Sequence, residues 1–212
     1  MRAAVSKSFP KTKKDVVVEF RREMILEAAA KAFGRAGYEA TSVDAIAAEA
    51  GIGKGTVYLY FASKAEIYLS TTMHELNKIH AETVRRFAAL SSCKEKIELF
   101  IRIRLEYVES HRDFCRIYIS EFGSAVTQPD PIQKQLRKMR LRQADLLTNA
   151  ISDGIAAGEI RQLPARSAAF LITDVTRGLL ERRVLGGSKS HPAQDLRAIL
   201  DLLWNGLKGG LA

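Results

Sequence analysis

An all-α fold is predicted for this chain of 212 residues. Apolar residues recur three and four positions apart almost throughout the sequence, which is the spacing of one face of an α-helix. No stretch keeps the alternation of apolar and polar residues that a half-buried β-strand requires. Hydrophobic residues make up 47% of the chain, so the helices can bury a substantial core. We therefore expect a protein of nine helices.

Each predicted helix begins and ends at a recognisable signal. Gly37 follows the first helix, at the position where a left-handed residue commonly ends a helix. Thr41 and Asp44 have the spacing of a hydroxyl cap followed by an acid in the first turn, which favours the start of the second helix. Ser63 caps a long fourth helix, and serine, glycine and proline residues mark the later breaks. The predicted spans are 21–36, 43–50, 54–61, 64–90, 94–109, 113–122, 130–157, 165–186 and 192–208.

The two short helices within 43–61 have the dimensions of a helix-turn-helix unit. Val57 and Phe61 lie one turn apart in the second of them, so they face the core together. The opposite side of this helix carries hydroxyl, ammonium and small groups and no acid. Such a surface suits a DNA groove, because hydroxyl and ammonium groups bind phosphates and small residues allow close approach. A solvated amphipathic helix is the alternative for this short helix taken alone.

A longer stretch around this unit, from Arg22 to Lys64, resembles the N-terminal domain of the TetR family of bacterial repressors. The similarity covers roughly residues 21–70 and includes Gly37-Tyr38-Glu39-Ala40-Thr41-Ser42-Val43 and the run from Ala50 to Lys64. The rest of the chain resembles the family only in its length and helical pattern. The resemblance implies a ligand-responsive homodimer that binds a palindromic DNA operator. It implies DNA contacts at Thr41, Ser42, Lys54, Gly55, Thr56, Tyr58, Tyr60 and Lys64.

One position departs from the family pattern. Gly53 stands where members of the family often have a serine that caps the recognition helix. Glycine is a tolerable cap, but it offers no hydroxyl to a phosphate. Any contact with DNA at this position must therefore come from the backbone amide.

The positive charge is distributed unevenly along the chain. The formal net charge is +9, of which residues 1–22 carry +5 and residues 23–64 carry −1. A basic balance favours anionic partners, and the densest positive segment precedes the first predicted helix. We predict a basic flexible arm at 1–20, a helix-turn-helix domain at 21–66 and an effector-binding and dimerisation domain at 67–212. The arm either follows the minor groove of DNA or is a solvated tail.

The last two predicted helices carry long apolar stripes. Such a stripe forms an ordinary core face, a dimer interface, or both. The resemblance implies that these helices pair with those of a second copy as a four-helix bundle. A two-fold dimer would place two recognition helices about 34–36 Å apart, one turn of DNA. The residues that we assign to dimerisation are Leu171, Val175, Leu179, Leu196, Leu200, Leu203 and Trp204.

Three polar residues lie inside apolar stripes of the C-terminal part, where a ligand cavity would be indicated. They are His80, Arg104 and Gln143. A buried arginine is costly unless it is paired. Arg104 therefore extends to solvent, pairs with a neighbouring acid or meets an anionic ligand. We expect a mostly apolar cavity with a few polar anchors, which suits an apolar, amphipathic or carboxylate-bearing effector.

Other classes of protein receive little support. Two cysteines, Cys93 and Cys115, form no disulfide framework and indicate a reducing compartment. The sequence has neither a membrane-spanning apolar stretch nor a secretory signal, which predicts a cytoplasmic protein with no membrane partner. Gly51–Thr56 lacks the ending of a phosphate-binding loop, and Lys78 replaces the second histidine of a zinc-protease motif starting at His74. We expect no enzymatic activity, no cofactor and no metal.

The resemblance also implies a mechanism. Without effector, the dimer holds its recognition helices at the operator spacing and blocks transcription. An effector bound among the fourth to eighth helices shifts the fourth helix and weakens DNA binding. An activator role, an architectural DNA-binding protein without an effector and, more distantly, a helical enzyme are the alternatives. The long C-terminal part argues against the architectural protein, because DNA binding requires only the domain at 21–66.

Overall fold

The computed structural model describes residues 12–112, 114–116, 119, 131–186 and 190–207. These residues form nine helices and no strand, which confirms the predicted all-α fold. Within them, no helix combines the length and apolar character that crossing a membrane requires. The helices are α1 (Lys13–Ala40), α2 (Val43–Glu49), α3 (Lys54–Tyr58), α4 (Lys64–Phe87), α5 (Cys93–Ser110), α6 (which includes residues 112, 114–116 and 119), α7 (Pro131–Ala156), α8 (Ala165–Val184) and α9 (Pro192–Leu207).

Helix α1 begins at Lys13, well before the predicted start at residue 21. The start is defined by a capping box, in which Thr12 Oγ1 accepts from the Asp15 amide (3.2 Å) and the Asp15 carboxylate accepts from the Thr12 amide (2.9 Å). Residues 13–20, which we predicted as part of a flexible arm, are therefore helical; residues 1–11 of that arm lie outside the described residues. We did not predict these turns, because their apolar residues do not form the stripe of a buried helix face. The side chain of Phe20, for example, is exposed in the structure.

Gly37 interrupts α1 near its C-terminal end. Its φ is +85°, a backbone conformation that glycine adopts readily and other residues adopt at a cost. The prediction of a helix break at this residue is confirmed, and helical geometry resumes as far as Ala40.

The N-terminal helices enclose one core. The side chains of Ile25 and Phe33 from α1, Ile46 from α2, Val57 from α3 and Ile67 from α4 are all fully buried in it. The first turns of α4 therefore belong to the helix-turn-helix domain, and the helix continues beyond it. Further along α4, Ile79 and Phe87 lie in the second core, so a single helix is shared by both domains.

The C-terminal core is built around α5. Ile97, Phe100 and Ile101 of α5 are at most 1% exposed. They pack with residues of α7, α8 and α9, including Leu147 and Ile172. Burial of apolar surface on this scale is the main force that holds the larger domain together. Helix α5 thereby becomes the fixed element against which α4, α7 and α8 are positioned.

A close approach of α7 to the start of α5 depends on Gly154. A Cβ atom at this position would lie 2.6 Å from Cys93 Cβ and 3.0 Å from Cys93 Sγ. These distances are shorter than non-bonded carbon and sulfur atoms tolerate. The absence of a side chain at residue 154 therefore sets the spacing of these two helices.

Replacing Gly154 with alanine tests this packing. We expect Gly154→Ala to lower the free energy of unfolding by about 1–3 kcal/mol, because the clash forces the helices apart. The better helix propensity of alanine, about 1 kcal/mol, opposes this loss. Chemical denaturation measures the difference, with Ser152→Ala on the exposed face of α7 as control. A Gly154→Ala variant as stable as the control would contradict the proposed spacing.

Candidate nucleic-acid interface and ligand cavity

The helix-turn-helix unit is closed by its turn and by one buried face. Gly51 has a φ of +65°, and the amide of Ile52 donates to the Ala47 carbonyl (3.0 Å), which reverses the chain between α2 and α3. Val57 and Phe61 anchor α3 to the core with at most 1% exposure. The other side of α3 consequently faces solvent.

Two exposed glycines, Gly53 just before α3 and Gly55 within it, are not required by the packing of the protein. A Cβ atom added at Gly53 or Gly55 would meet nothing within 4 Å, and neither residue has a positive φ. Neither the fold nor the backbone conformation therefore requires glycine here. Their effect is to clear space above the surface, beside Tyr58 (47% exposed) and Leu59 (81% exposed).

Lys54 joins the starts of α2 and α3. Its ammonium lies 2.7 Å from Asp44 Oδ2, and both side chains are largely exposed. The hydrogen bond and charge of Asp44 hold the pKa of Lys54 above its ordinary value, so the lysine is charged at neutral pH. Such an exposed pair contributes little stability, and an incoming phosphate can compete for the ammonium.

Thr41 and Ser42 are placed differently despite being adjacent. The Thr41 side chain is buried, and its hydroxyl donates to the carbonyls of Gly37 (2.6 Å) and Ala32 (3.2 Å). The Ser42 hydroxyl is exposed and accepts from the Ala45 amide (3.1 Å), which caps α2. The Ser42 hydroxyl can still donate a hydrogen bond outward, whereas the Thr41 hydroxyl is committed inside the protein.

Lys64, the first residue of α4, holds the end of α1. Its ammonium donates to the carbonyls of Tyr38 (2.9 Å) and Glu39 (3.1 Å) and lies 4.5 Å from the centre of the Tyr38 ring. A cation at the C-terminal end of a helix is favoured by the helix dipole. Among the described residues, two of its three donors are therefore used internally, and the third has no such hydrogen bond.

Arg22 was not singled out from the sequence, yet it positions the residues that follow α3. Its guanidinium donates to the Tyr60 carbonyl and lies 4.2 Å from the centre of the Phe61 ring. The Tyr60 side chain is half-buried against the N-terminal core. We define the recognition surface as Ser42, Lys54, Gly55, Thr56, Tyr58 and Tyr60.

A cavity of about 150 Å³ lies among α4, α5, α7 and α8. We call it the Arg104 cavity. Its wall is mainly apolar, with Leu76, Leu136, Met139 and Leu180 among the lining residues. Two of the three residues that we predicted as ligand contacts, Arg104 and Gln143, line it. His80 is not one of its lining residues.

Arg104 brings a positive charge into the wall of this cavity. The side chain is buried, its Nη1 donates to the Phe100 carbonyl (2.7 Å), and the guanidinium carbon lies 3.3 Å from the centre of the Phe100 ring. Its Nη2 is buried and has no hydrogen-bond partner, and no acid pairs with it, among the residues that the structure describes. Burial lowers the pKa of Arg104 to about 9, so the group is charged at neutral pH.

His80 lies near this charge without facing the cavity. Its Nδ1 is buried and makes no hydrogen bond within the described part of the chain. Burial lowers the pKa of His80, and the charges of Arg142 and Arg104 lower it further. His80 is therefore neutral at neutral pH and adds no second positive charge beside Arg104.

Tyr107 connects the Arg104 cavity to α4. Its ring lines the cavity, and its hydroxyl donates to Glu75 Oε2 on α4 (2.7 Å). Glu75 is 3% exposed and also accepts from the Lys78 ammonium (3.2 Å). Burial and the Glu75 carboxylate raise the pKa of Tyr107, so its hydroxyl keeps its proton. We missed this pair because Glu75 and Tyr107 are 32 residues apart, although an acid within the buried face of α4 was a visible signal.

The carboxylate of Glu75 also reaches the boundary between the domains. A second cavity, of about 390 Å³, is lined by Glu75 and by residues of α1, including Lys31 and Arg35. A single hydrogen bond thus joins the wall of the Arg104 cavity to the region where α4 passes α1.

The residues that we assigned to dimerisation fall into two groups. Leu171 and Val175 on α8 are 65% and 39% exposed. Leu179 is buried in the C-terminal core. Leu202 was not predicted, yet it is 67% exposed on α9. The remaining assigned residues are partly buried against the core, namely Leu196, Leu200, Leu203 and Trp204.

Family models match the chain in both of its domains. The model for bacterial regulatory proteins of the tetR family matches residues 25–71, and the model for a tetracyclin repressor-like C-terminal domain matches residues 90–181. The chain is 28% identical over 188 residues to a Bacillus subtilis (strain 168) protein called uncharacterized HTH-type transcriptional regulator YhgD. This similarity covers 86% of the chain and 92% of YhgD.

Solved structures share the whole architecture. The transcriptional regulator FadR from Bacillus subtilis, in complex with stearoyl-CoA, has a TM-score of 0.75 at 21% identity, over 88% of this chain and 99% of FadR. A transcriptional regulator from Saccharomonospora viridis, in complex with choline, has a TM-score of 0.79 at 19% identity, over 91% and 100%. The family models describe regulators of transcription, not enzymes, and together they span both domains. The chain therefore belongs to the TetR family of bacterial transcriptional regulators.

Proposed function

We propose that the protein is a repressor that binds a palindromic operator as a homodimer and is released by a small-molecule effector. The observation that carries this proposal is the continuity of α4. The helix begins against the recognition domain with Lys64 and, four turns later, lines the Arg104 cavity with Ile79. Occupation of the cavity can therefore act mechanically on the DNA-binding end. A regulator with this function acts in the cytoplasm, where bacterial DNA lies.

The recognition surface is the proposed DNA contact. Ser42, Lys54 and Tyr58 offer outward donors, while Gly55 allows close approach of the DNA backbone and Thr56 contributes to sequence preference. Phosphate contacts at Lys54 would make affinity depend on salt concentration.

Thr41 and Lys64 are proposed to act mainly by positioning. Thr41 holds the end of α1 against the start of α2 through its internal hydrogen bonds. Lys64 fastens α4 to α1 and has one ammonium donor left for a phosphate. A phosphate contact at Thr41 would have to use its backbone amide.

The Arg104 cavity is the proposed effector site, with Arg104 and Gln143 as contacts. A cavity that is mostly apolar and has a few polar groups is typical of small-molecule sites. The likeness to regulators solved with stearoyl-CoA and with choline supports a ligand site in this fold. His80 is proposed to act indirectly, by remaining neutral beside Arg104.

The proposed coupling runs through Tyr107. A ligand that displaces the Tyr107 ring changes its hydrogen bond to Glu75 and so the position of α4. Because Lys64 fastens the same helix to α1, this movement reaches the recognition surface. Thermodynamic linkage requires the operator to weaken effector binding by the same factor.

The proposed dimer interface uses the exposed apolar residues of α8 and α9. Leu171 and Val175 provide one part and Leu202 the other. Apolar groups at this exposure gain free energy when a second copy covers them. Leu196, Leu200, Leu203 and Trp204 support this surface from below, and Leu179 contributes through the core.

The DNA-binding proposal is tested with operator DNA selected from a random pool by the full-length protein. We expect Lys54→Ala to weaken binding to all sequences and to reduce the salt dependence, with no large change in the free energy of unfolding. Lys64→Ala should reduce both DNA affinity and stability, since it also frees the end of α1. Lys138→Ala, at an exposed position on the distant helix α7, is the control. Failure to select any DNA sequence would contradict the function itself.

The dimer is tested by light scattering at micromolar concentration. We expect a dimeric mass for the unmodified chain and a monomeric mass for Leu202→Glu, because the new carboxylate would be buried without a partner. Leu59→Glu, the same substitution at an exposed leucine just after α3, should leave the dimer intact. A monomeric mass for the unmodified chain would refute the proposed assembly.

The link between Tyr107 and Glu75 is tested by a double-mutant cycle with Tyr107→Phe and Glu75→Gln. A hydrogen bond to a buried carboxylate predicts an interaction of about 1–3 kcal/mol in the free energy of unfolding. Chemical denaturation of the four proteins measures it. Additive effects of the two substitutions would show that the pair does not couple α4 to α5.

A further inference from the structure

Two arginines are buried in the described part of the larger domain, and they differ in their hydrogen-bond partners. Arg183 donates to the carboxylates of Asp195 and Glu109 and to the Ser190 carbonyl, so its charge is compensated where α5, α8 and α9 meet. Arg104 has a comparable burial, yet its only hydrogen bond within the described residues goes to the neutral carbonyl of Phe100. The charge of Arg183 is thus balanced by two carboxylates, whereas the charge of Arg104 is not balanced by any described acid.

Among the described residues, the acid that lines the Arg104 cavity and the acid bound to its Tyr107 are already engaged. Glu75 accepts from Tyr107 and Lys78. Glu181, which lines the Arg104 cavity, pairs with Arg177 (3.2 Å). A buried guanidinium without a counter-ion is unfavourable, and removal of that penalty strengthens the binding of an anion. A negatively charged group that enters the cavity would therefore relieve this penalty.

The cavity also sets a limit on size. A volume of about 150 Å³ corresponds to the space that admits a molecule like benzene. A single ring or a short branched chain fits among Leu136, Met139 and Leu180. An extended long acyl chain is larger than this volume.

The Arg104 cavity suits a ligand that carries one negative charge. Arg104 is a buried cation of the wall, and its fully buried Nη2, which has no hydrogen-bond partner among the described residues, suits a carboxylate oxygen. Arg140, which also lines the cavity, is exposed and keeps its hydration. A doubly charged phosphate would bring more charge into the cavity than Arg104 balances.

We propose that the effector is a compact monocarboxylate whose carboxylate pairs with Arg104 and whose apolar body lies against Leu136, Met139 and Leu180. This inference rests on the proposed function of the Arg104 cavity and specifies its ligand class. It separates this chain from a regulator whose effector is a long-chain acyl thioester. Release from DNA follows when the apolar body presses on Tyr107.

Calorimetry on the full-length protein tests the ligand class with benzoate, phenylacetate and hexanoate. Their uncharged partners are benzamide, phenylacetamide and hexanamide, and stearoyl-CoA is the long-chain probe. We expect at least one acid to bind roughly tenfold or more tightly than its amide. Equal binding of every acid and its amide would overturn the proposal. So would tighter binding of stearoyl-CoA, or no binding of the three acids at about 1 mM.

Substitutions at Arg104 test the anchor. Arg104→Gln keeps a hydrogen-bond donor and removes the charge, so we expect it to abolish the preference for acid over amide. Arg104→Lys should retain part of that preference, which keeps the test valid if the glutamine variant is poorly folded. Arg102→Gln, two residues away on α5 and ion-paired with Glu98 (2.7 Å), is the matched control and should bind the acids as before. An unchanged preference in Arg104→Gln would exclude Arg104 as the anchor.

The same proteins distinguish failure of this inference from failure of the proposed function. Binding to the selected operator is measured with and without each probe. If stearoyl-CoA or an amide releases the protein from the operator and the acids do not, the proposed function is supported, and the proposal of a monocarboxylate effector is wrong. If the protein binds no operator, the proposed function itself fails.

Discussion

The connection between the two domains depends on α4, because its two ends are buried in different hydrophobic cores. Ile67 at its start is fully buried with the helix-turn-helix domain, and Phe87 at its end is buried with α5. A helix transmits displacement along its axis because its backbone hydrogen bonds are continuous. The two domains therefore cannot reorient independently. Lys64 strengthens this constraint by fastening the first turn of α4 to the last carbonyls of α1.

Positive charge in this chain has structural as well as functional uses. Lys64 and Arg22 hold backbone carbonyls around the recognition domain, and Arg183 joins three helices of the larger domain. Their donors are mostly consumed inside the protein. Among the described residues, Lys54 pairs with an exposed aspartate, and Arg104 has no acidic partner. The placement of these two cations favours an external anion, which we propose to be a DNA phosphate at Lys54 and a ligand at Arg104.

The recognition surface and the Arg104 cavity differ in how their free energy of binding arises. Phosphate contacts on an exposed surface depend on the release of counter-ions and are weakened by salt. An anion in a buried site gains from a lower effective dielectric constant and is weakened by salt far less. The proposed recognition surface lies beside the start of α4, and the Arg104 cavity meets the middle of the same helix at Leu76 and Ile79. The hydrogen bond from the neutral Tyr107 hydroxyl to the buried Glu75 carboxylate joins the wall of the cavity to α4.

The amino-acid sequence alone determined the features that depend on neighbours along the chain. Periodicity and caps predicted the all-α fold, the order of the helices and the break at Gly37, and the pattern between Thr41 and Lys64 indicated the family. The same reasoning missed the capping box that starts α1 at Lys13, because exposed apolar residues there show no buried face. It assigned Leu179 to dimerisation but could not show that this residue is buried in the core of its own copy, since a stripe does not reveal what covers it.

Only the tertiary structure decided which polar groups are already occupied. Thr41 and Lys64 fit a DNA-contact pattern in the sequence, but their donors reach carbonyls of α1 that lie up to 26 residues away. Arg104 had three open alternatives, and the packing of α4, α5, α7 and α8 around it removed solvent access and brought no described acid to it. Hydrogen bonds and desolvation depend on groups that are distant along the chain and adjacent in space. Their outcome is therefore a property of the packed helices, whereas the helices themselves follow from local spacing.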